Sequence, residues 1–535
     1  MTDTNMLEQS RLRPAIAGLA LAAMAVLVYG PALHSTGFVW DDYSLFAGNW
    51  LSAPGSLTRI WFRPWELRGE EHYWPVTYTL FYLQNLVWGS ANPVGWHLVN
   101  VLFHAANTVL AWQLLKRLRI PGAWLAAALF AVHPVHVDSV AWIIELKDVL
   151  SAFFCLVAAM LYLHYSDFGR RLACGGALAA FALALMSKSV AVTLPAALVI
   201  LEWWRNPKLT RRHWLIVAPF VVLAVIFVAF DLTMVGRAAN PVPVISWPER
   251  AYVAGMAVFH YAKTIVWPVN LCPVELRWFD LPSTGVMPFV PVALLAALLA
   301  VLAKRIRRGK GPLALALLYI ALLSPTLGII PFSYMRYSYV ANRFQYLACL
   351  VPLAGIPGML AQFNQRPGQT FRKLVMVMAA VVICVLGYMT WNYSRIYRDN
   401  ETWATYTLEH NPAAAPACEI LAATFAARGE FEKSAAHAAT AVTIDPDNTS
   451  ARYMWALGLF KTNKHREAIE QLNTALAQNP KHLNSLILRA GIQASKGDRS
   501  AAEADYQTVL KLDATNSRAL SGLKDLQTSP THTNP

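Results

Sequence analysis

The sequence predicts an all-α protein in two parts: a polytopic membrane bundle of about eleven spans over residues 1–398, and an α-solenoid of short repeats over residues 399–535. Three observations carry this. Of the 535 residues, 56% are hydrophobic and 14% charged, with a mean hydropathy of +0.38, whereas a soluble globular chain carries about 25% charged residues. Apolar runs of about twenty residues recur through the first three quarters of the chain, each able to cross a ~30 Å hydrocarbon core at 1.5 Å per residue. Beyond them, Asn411-Pro412, Asp445-Pro446 and Asn479-Pro480 recur every 34 residues. An ordinary soluble enzyme is thereby excluded, and 19 Trp, 20 Tyr and 23 Phe exclude a disordered chain.

The first run, Pro14 to Leu33, follows Arg11 and Arg13, and no small-residue cleavage site follows it, so it reads as a retained anchor. Further spans are expected near 96–115, 121–141, 149–165, 173–187, 190–204, 214–235, 286–303, 312–331, 344–361 and 374–391. With the N-terminus inside, the cytoplasmic segments hold 19 Lys+Arg in 62 residues, while the opposite side holds 11 in about twice that length. An odd span count then places the C-terminal part outside. Tyr73–Trp88 and Tyr252–Pro268 would invert the basic loops if they crossed, and they read instead as helices along the outer interface.

Charge divides at the same boundary. Residues 399–535 hold 13 Lys+Arg and 15 Asp+Glu, net −2, and the rest of the chain carries net +16. The basicity is thus a topology signal and not a nucleic-acid face. The six cysteines lie scattered, with no metal-ligand or redox spacing.

In the C-terminal part, Gly429, Asn463 and Gly497 share one phase of the 34-residue period, Ser434, Ala468 and Ala502 another, and Ala441, Ala475 and Val509 a third. Small residues at helix contacts and Pro at unit ends read as tetratricopeptide repeats near 411–444, 445–478 and 479–512, with a capping helix to about 526. Such an array offers a concave surface for a peptide segment. A spacer or dimerisation module is the plainer alternative.

Of the sixteen acids before Asp399, twelve map to the outer side, among them Asp41, Asp42, Asp138, Glu145, Asp148, Asp231 and Glu275. Ionisable groups in or near a bilayer are costly and mark function. Asp41-Asp42, inside Phe38-Val39-Trp40-Asp41-Asp42-Tyr43, can divide two tasks, general base and cation binding or acceptor orientation. A solvated loop pair or a helix cap is the bland reading. His133-Pro134-Val135-His136-Val137-Asp138, followed by Glu145, Lys147 and Asp148, offers a His/Asp metal site, with Asp42 and His133 as its ligands, or else polar groups that fix helix packing. Lys147 and two basic residues expected at the same depth, Lys188 and Arg343, suit an outer-leaflet phosphate, with an ion-pair network alone as the alternative for Lys147 and snorkelling to headgroups as that for the other two.

These blocks, together with Trp96–His104, Lys147-Asp148-Val149-Leu150-Ser151, Ser187-Lys188 and Asn342-Arg343-Phe344-Gln345-Tyr346-Leu347, resemble the transmembrane and tetratricopeptide-repeat-containing O-mannosyltransferase-like proteins and their bacterial relatives, within the GT-C superfamily. The resemblance covers nearly the whole chain, and its His-Pro-Val-His block with Lys-Asp-Val-Leu-Ser is highly specific. It implies a GT-C-type fold with a long first outer loop (34–95) carrying the catalytic acids Asp41 and Asp42. It also implies Lys188 and Arg343 against the donor phosphate; from the residues themselves, Lys147 is expected beside them, with His133, His136, Asp138, Glu145 and Asp148 around. Ser189 stands where relatives often have Glu, and Asn342 replaces an acid common before the Arg.

The implied activity is glycosyl transfer from a polyprenyl-phosphate-linked sugar to a hydroxyl of an exported protein, O-mannosylation among the options, in a plasma (inner) membrane with periplasmic repeats. A divalent cation, Mg or Mn, is the one cofactor suggested. The expected partners are the lipid-linked donor, an exported protein acceptor held by the repeats, and membrane lipids. The same chemistry on a cell-envelope glycan or lipid, or a non-catalytic assembly scaffold, are the rival readings.

Overall fold

The computed structural model describes residues 2–46, 50–67, 72–235, 244–278, 281–363 and 369–528, which form helices and, among them, no strand. Two compact units result, Met1–Asp399 and Asn400–Pro535.

The first unit contains α1 (Thr2–Val28), α2 (Ser56–Phe62), α3 (Pro75–Trp88), α4 (Pro93–Arg117), α5 (Ala123–Val132), α6 (Val137–Ala141), α7 (Leu146–Phe168) and α8 (Arg171–Leu185). It continues through α9 (Leu194–Arg205), α10 (Arg211–Val235), α11 (Trp247–Val266), α12 (Val290–Lys304), α13 (Gly311–Leu323), α14 (Leu350–Phe363) and α15 (Gln369–Ser394). Among the described residues, five stretches are long and apolar enough to cross a membrane: Pro93–Arg117, Ile143–Phe168, Arg211–Val235, Met287–Lys304 and Gln369–Arg398. A sixth forms if the pair Ala123–Val132 and Pro134–Ala141, bent by 54°, counts as one span.

The eleven expected spans are therefore not what the helices give. Pro134 cannot continue the ladder of α5, so the 121–141 run breaks. The 190–204 and 344–361 runs begin as 3-10 turns, Ser189–Thr193 and Asn342–Gln345, which shortens the helices after them. Pro14–Val28, Arg171–Leu185 and Gly311–Thr326 are apolar but short. Window counting registers composition and misses where the backbone leaves the helix. Residues 75–88 and 247–266 are helices, and neither has the combination of length and apolarity of a span.

α4 is the spine of this unit and packs against α1, α5 and α7. Its buried face carries an unusual polar stripe at helical spacing: His97, Asn100, His104 and Asn107. Asn100 donates to the Trp142 carbonyl at 2.9 Å, Asn107 to the Val149 carbonyl at 2.8 Å, and His104 Nδ1 meets the Tyr346 hydroxyl at 2.8 Å. These bonds fix the segment from Trp142 to Val149, and with it Glu145, Lys147 and Asp148. α10, α12 and α15 present exposed Val225, Ile226, Leu294, Leu298, Val377 and Val381, side chains suited to lipid contact.

The second unit contains α16 (Asn400–His410) and the pairs α17 (Ala415–Ala427) with α18 (Phe431–Ile444), α19 (Thr449–Lys461) with α20 (His465–Gln478), and α21 (Leu483–Ser495) with α22 (Arg499–Leu512), closed by α23 (Ser517–Thr528). The first helices start at 415, 449 and 483 and α23 at 517, a spacing of 34. Gly429, Asn463 and Gly497 all adopt positive φ (79°, 63°, 86°) in the turn between paired helices, which explains why Asn stands at a position otherwise occupied by Gly. Ser434, Ala468, Ala502, Ala441, Ala475 and Val509 are all fully buried where paired helices meet.

Candidate functional site

The two adjacent acids of the first loop do different things. Trp40 to Leu45 form a 3-10 turn, in which neighbouring side chains diverge by about 120°. Trp40 enters it with a left-handed φ of 48° and stacks on Trp142 at 5.4 Å and 14°, an unfavourable conformation for a bulky residue that the packing holds in place. Asp42 consequently points inward. It is 1% exposed, and its two oxygens accept from the Val39 N–H at 2.9 Å and the Ile144 N–H at 2.8 Å. Asp42 thus clamps the first loop onto the turn that carries Glu145. Burial pushes its carboxyl up to about 8, against the pull of those two N–H groups, and the neighbouring Asp41 charge adds to the rise.

Asp41 points the other way. Its side chain is open to solvent, and no described residue donates a hydrogen bond to it. It nevertheless lies in a recess, since removal of surrounding water raises its carboxyl above the usual range, while Lys147 and Arg343 pull it back down and Glu145 pushes it up. Those three residues are the edge of a charge cluster. Glu145 pairs with Lys147 at 3.5 Å, with Lys188 at 3.2 Å and with the Arg343 Nε at 3.2 Å. Asp148 pairs with Lys188 and accepts from the Ser139 hydroxyl at 3.0 Å. The Arg343 guanidinium lies 4.2 Å from the Tyr334 ring and 5.2 Å from that of Trp142, and its Nη1 has no hydrogen-bond partner among the described residues. Residues from five separate stretches of chain, around 41, 145, 188, 334 and 343, thus meet at one place.

The His-Pro-Val-His block is buried beside the cluster, and neither ring nitrogen of His136 has a hydrogen-bond partner among the described residues. His133 Nε2 meets the Ile265 carbonyl at 2.9 Å. His136 lies among Phe130, Tyr346 and His104, with ring centroids 4.4, 4.9 and 5.6 Å away. Asp138 accepts from the hydroxyls of Tyr393 and Tyr397, both at 2.9 Å, which ties it to the end of the last apolar helix. No group of three His, Cys, Asp or Glu able to hold a metal exists among the described residues. Asp42 and His133, expected as ligands, instead hold backbone groups with their polar atoms. The residues present therefore do not fit a divalent cation there, and no chemistry below runs through one.

A second polar knot, invisible in local motifs, borders the cluster. Asp231 on α10 accepts from the Tyr73 N–H at 2.8 Å and the Ser189 hydroxyl at 2.6 Å, and meets His72 Nδ1 at 3.0 Å. Trp74 donates to the Ser189 hydroxyl at 2.9 Å, and the Lys147 ammonium lies 5.5 Å from its ring. His72 and Trp74 went unflagged in the sequence because their partners lie more than a hundred residues away. Ser189 is thus bonded to an acid supplied by α10. Asn342 donates to Glu275 at 3.1 Å, whose carboxyl burial raises to about 7.

No family model matches the chain. Curated proteins do. A stretch of 160 residues, 28% of this chain, is 33% identical to the protein O-mannosyl-transferase Tmtc1 of Drosophila melanogaster and covers 18% of it. A stretch of 180 residues, 30% of this chain, is 30% identical to human protein O-mannosyl-transferase TMTC4 and covers 24% of it. The chain thus spans about a fifth of the length of these curated relatives. Among solved structures, the crystal structure of yeast Tom70 aligns over 79% of this chain and 95% of its own, at 11% identity and a TM-score of 0.24, too loose to carry an argument. Over part of its length, then, the chain is a homologue of proteins named protein O-mannosyl-transferases.

Proposed function

We propose that the chain is a membrane glycosyltransferase of the GT-C type that moves a sugar from a polyprenyl-phosphate donor to a hydroxyl of an exported protein at the outer face of a plasma membrane. The observation that carries this is the open Asp41 carboxylate beside the Glu145/Asp148–Lys147/Lys188/Arg343 cluster.

Asp41 is the base. It takes the proton from the acceptor hydroxyl as that oxygen bonds to the anomeric carbon and the bond from that carbon to the phosphate oxygen breaks. The electron pair leaves with the lipid phosphate, and a single displacement inverts the anomeric centre. The donor is a phosphodiester with one negative charge, and the released lipid phosphate monoester carries up to two. Three acids (Asp41, Glu145, Asp148) and three cations (Lys147, Lys188, Arg343) balance before the reaction. Once Asp41 is protonated the cations are in excess by one, as the leaving phosphate gains its charge. Preorganised charge of this kind is the largest single contribution to many enzymic rates.

In this reading the repeats present the protein acceptor, since stacked helix pairs of this kind offer extended concave binding surfaces. The test is intact-mass comparison of exported proteins and envelope glycans in cells with and without this chain, with a variant lacking 400–535 alongside. Mass added to exported proteins only by the full chain is expected. Sugar added to a glycan or lipid, equally well without the repeats, would overturn the protein-acceptor reading.

A further inference from the structure

Gly491 stands in the middle of α21 without a packing reason. Glycine is the poorest helix residue after proline, and the two preceding repeats carry Leu457 and Ala423 at the same register. Gly458 is close-packed against α18, but a Cβ on Gly491 would meet only the Tyr506 hydroxyl, at 3.9 Å. The missing side chain leaves room for a cavity of about 350 Å³, near the lower end of pockets that hold small ligands. Its walls are aromatic and aliphatic, from Tyr453, Leu457, Phe460, Ile487 and Tyr506. Its charge is of one sign: Lys461 and Arg518 line it, and among the described residues no acid does. The Lys461 ammonium lies 5.8 Å from the Phe460 ring. Burial raises the Tyr453 phenol and the Arg518 charge pulls it back, so both cations bear on the cavity. Neither has an ion-pair partner among the described residues.

We infer that this cavity holds an aromatic side chain of the exported protein acceptor, next to an acidic residue that pairs with Lys461 and Arg518. The inference rests on the protein-acceptor reading above and names the segment that the repeats select. Shape and charge together choose this occupant. A ring seated among Tyr453, Phe460 and Tyr506 makes edge and offset contacts, and its chain neighbours then lie at the rim, where the two cations stand. An extended segment presents a backbone N–H and C=O at each residue. The exposed Asn484 carboxamide, which also lines the cavity, carries both an acceptor and donors and can take one of each. A neutral glycan would stack on the rings but leave both cations unpaired.

The probe is a short fluorescein-labelled peptide, one phenylalanine followed by one aspartate in a glycine, serine and threonine background, titrated by anisotropy into the full chain in maltoside micelles. The unaltered protein is expected to bind it about tenfold more tightly than a peptide with alanine for the phenylalanine, and about threefold more tightly than one with asparagine for the aspartate. Gly491→Leu puts into the cavity the side chain that the preceding repeat has at this register. It should weaken binding about tenfold while its melting temperature holds or rises, since leucine favours the helix. Lys461→Gln combined with Arg518→Gln should remove the preference for aspartate and keep that for phenylalanine. In cells, Gly491→Leu should lower the mass added to exported proteins. No binding of the probe by the unaltered protein, or equal binding by folded Gly491→Leu, overturns the inference. Undiminished mass addition by Gly491→Leu overturns the assignment of the cavity to the acceptor. These results leave the protein-acceptor reading standing. That reading fails separately if the unaltered chain adds no mass to any exported protein, and the occupant named here then falls with it.

Discussion

Replacing Asp41 with Asn separates catalysis from folding more sharply than any other change here. No described residue donates to the Asp41 carboxylate, and it is open to solvent. Its loss therefore unpairs nothing, and stability should shift by less than about 0.5 kcal/mol. The amide cannot accept the acceptor's proton, so turnover should fall by about 10²–10⁴, equivalent to about 3–5 kcal/mol of barrier. Asp42→Asn should behave in the opposite way. One oxygen becomes an NH2 that faces a backbone N–H, either that of Val39 or that of Ile144, and the orphaned donor costs about 1–3 kcal/mol. Activity of this variant should track its folded fraction. The assay is transfer of radiolabelled mannose from a polyprenyl phosphate to an acceptor peptide, with thermal unfolding measured on the same preparation. If Asp42→Asn abolished turnover at unchanged melting temperature while Asp41→Asn kept its rate, the division between base and clamp would be wrong.

Three further outcomes are expected. Lys147 pulls the Asp41 carboxyl down, so Lys147→Ala should move the acidic limb of the pH–rate profile upward, and an unmoved limb would separate the two residues. The Asp42 carboxyl lies at about 8 in the folded protein against an ordinary 3.8, so the native state holds a proton that the unfolded chain gives up. Its contribution to stability should be complete below about pH 4 and decline as pH rises toward 8, a slope that melting curves of Asp42→Asn should lack. In the repeats, a Cβ on Gly458 would come within 2.8 Å of the Ala435 Cβ and 3.0 Å of the Phe431 carbonyl. Gly458→Ala should thus destabilise that unit by about 1–3 kcal/mol in a denaturant titration, helix propensity notwithstanding.

How much of this was legible in the sequence depended on the range of the interaction. The repeat register was legible because every unit repeats its own contacts: Ala441, Ala475 and Val509 occupy equivalent helix crossings, and the positive-φ turn recurs with them. Glu145, Lys147 and Asp148 stand in one short motif, and their polarity within an apolar chain marked them. The span count failed because Pro134 and the 3-10 turns at 189–193 and 342–345 interrupt helices that composition alone runs together. The unequal fates of Asp41 and Asp42 were hidden, since they follow from a backbone twist at Trp40 that its stacking on Trp142 imposes. Asp231 stood out as an acid in an apolar chain, but its link to His72 was hidden for a simpler reason: no local pattern joins positions 159 apart.

Stability alone does not account for the Glu145 cluster. Its five ionised groups are between 4% and 17% exposed, and withdrawing charges from water costs several kcal/mol each, which mutual attraction restores only with good geometry. Well-packed apolar side chains of similar volume would hold the same helices together as well or better. The α4 stripe sharpens the point. Asn100 and Asn107 are buried amides whose bonds go to the backbone at Trp142 and Val149, on either side of Glu145, Lys147 and Asp148, so further polar groups are buried to hold both acids and Lys147 in register. The protein orients charge at a cost to its own stability, and under the proposed function the open carboxylate of Asp41 beside that oriented charge is the arrangement a displacement at an anionic leaving group requires.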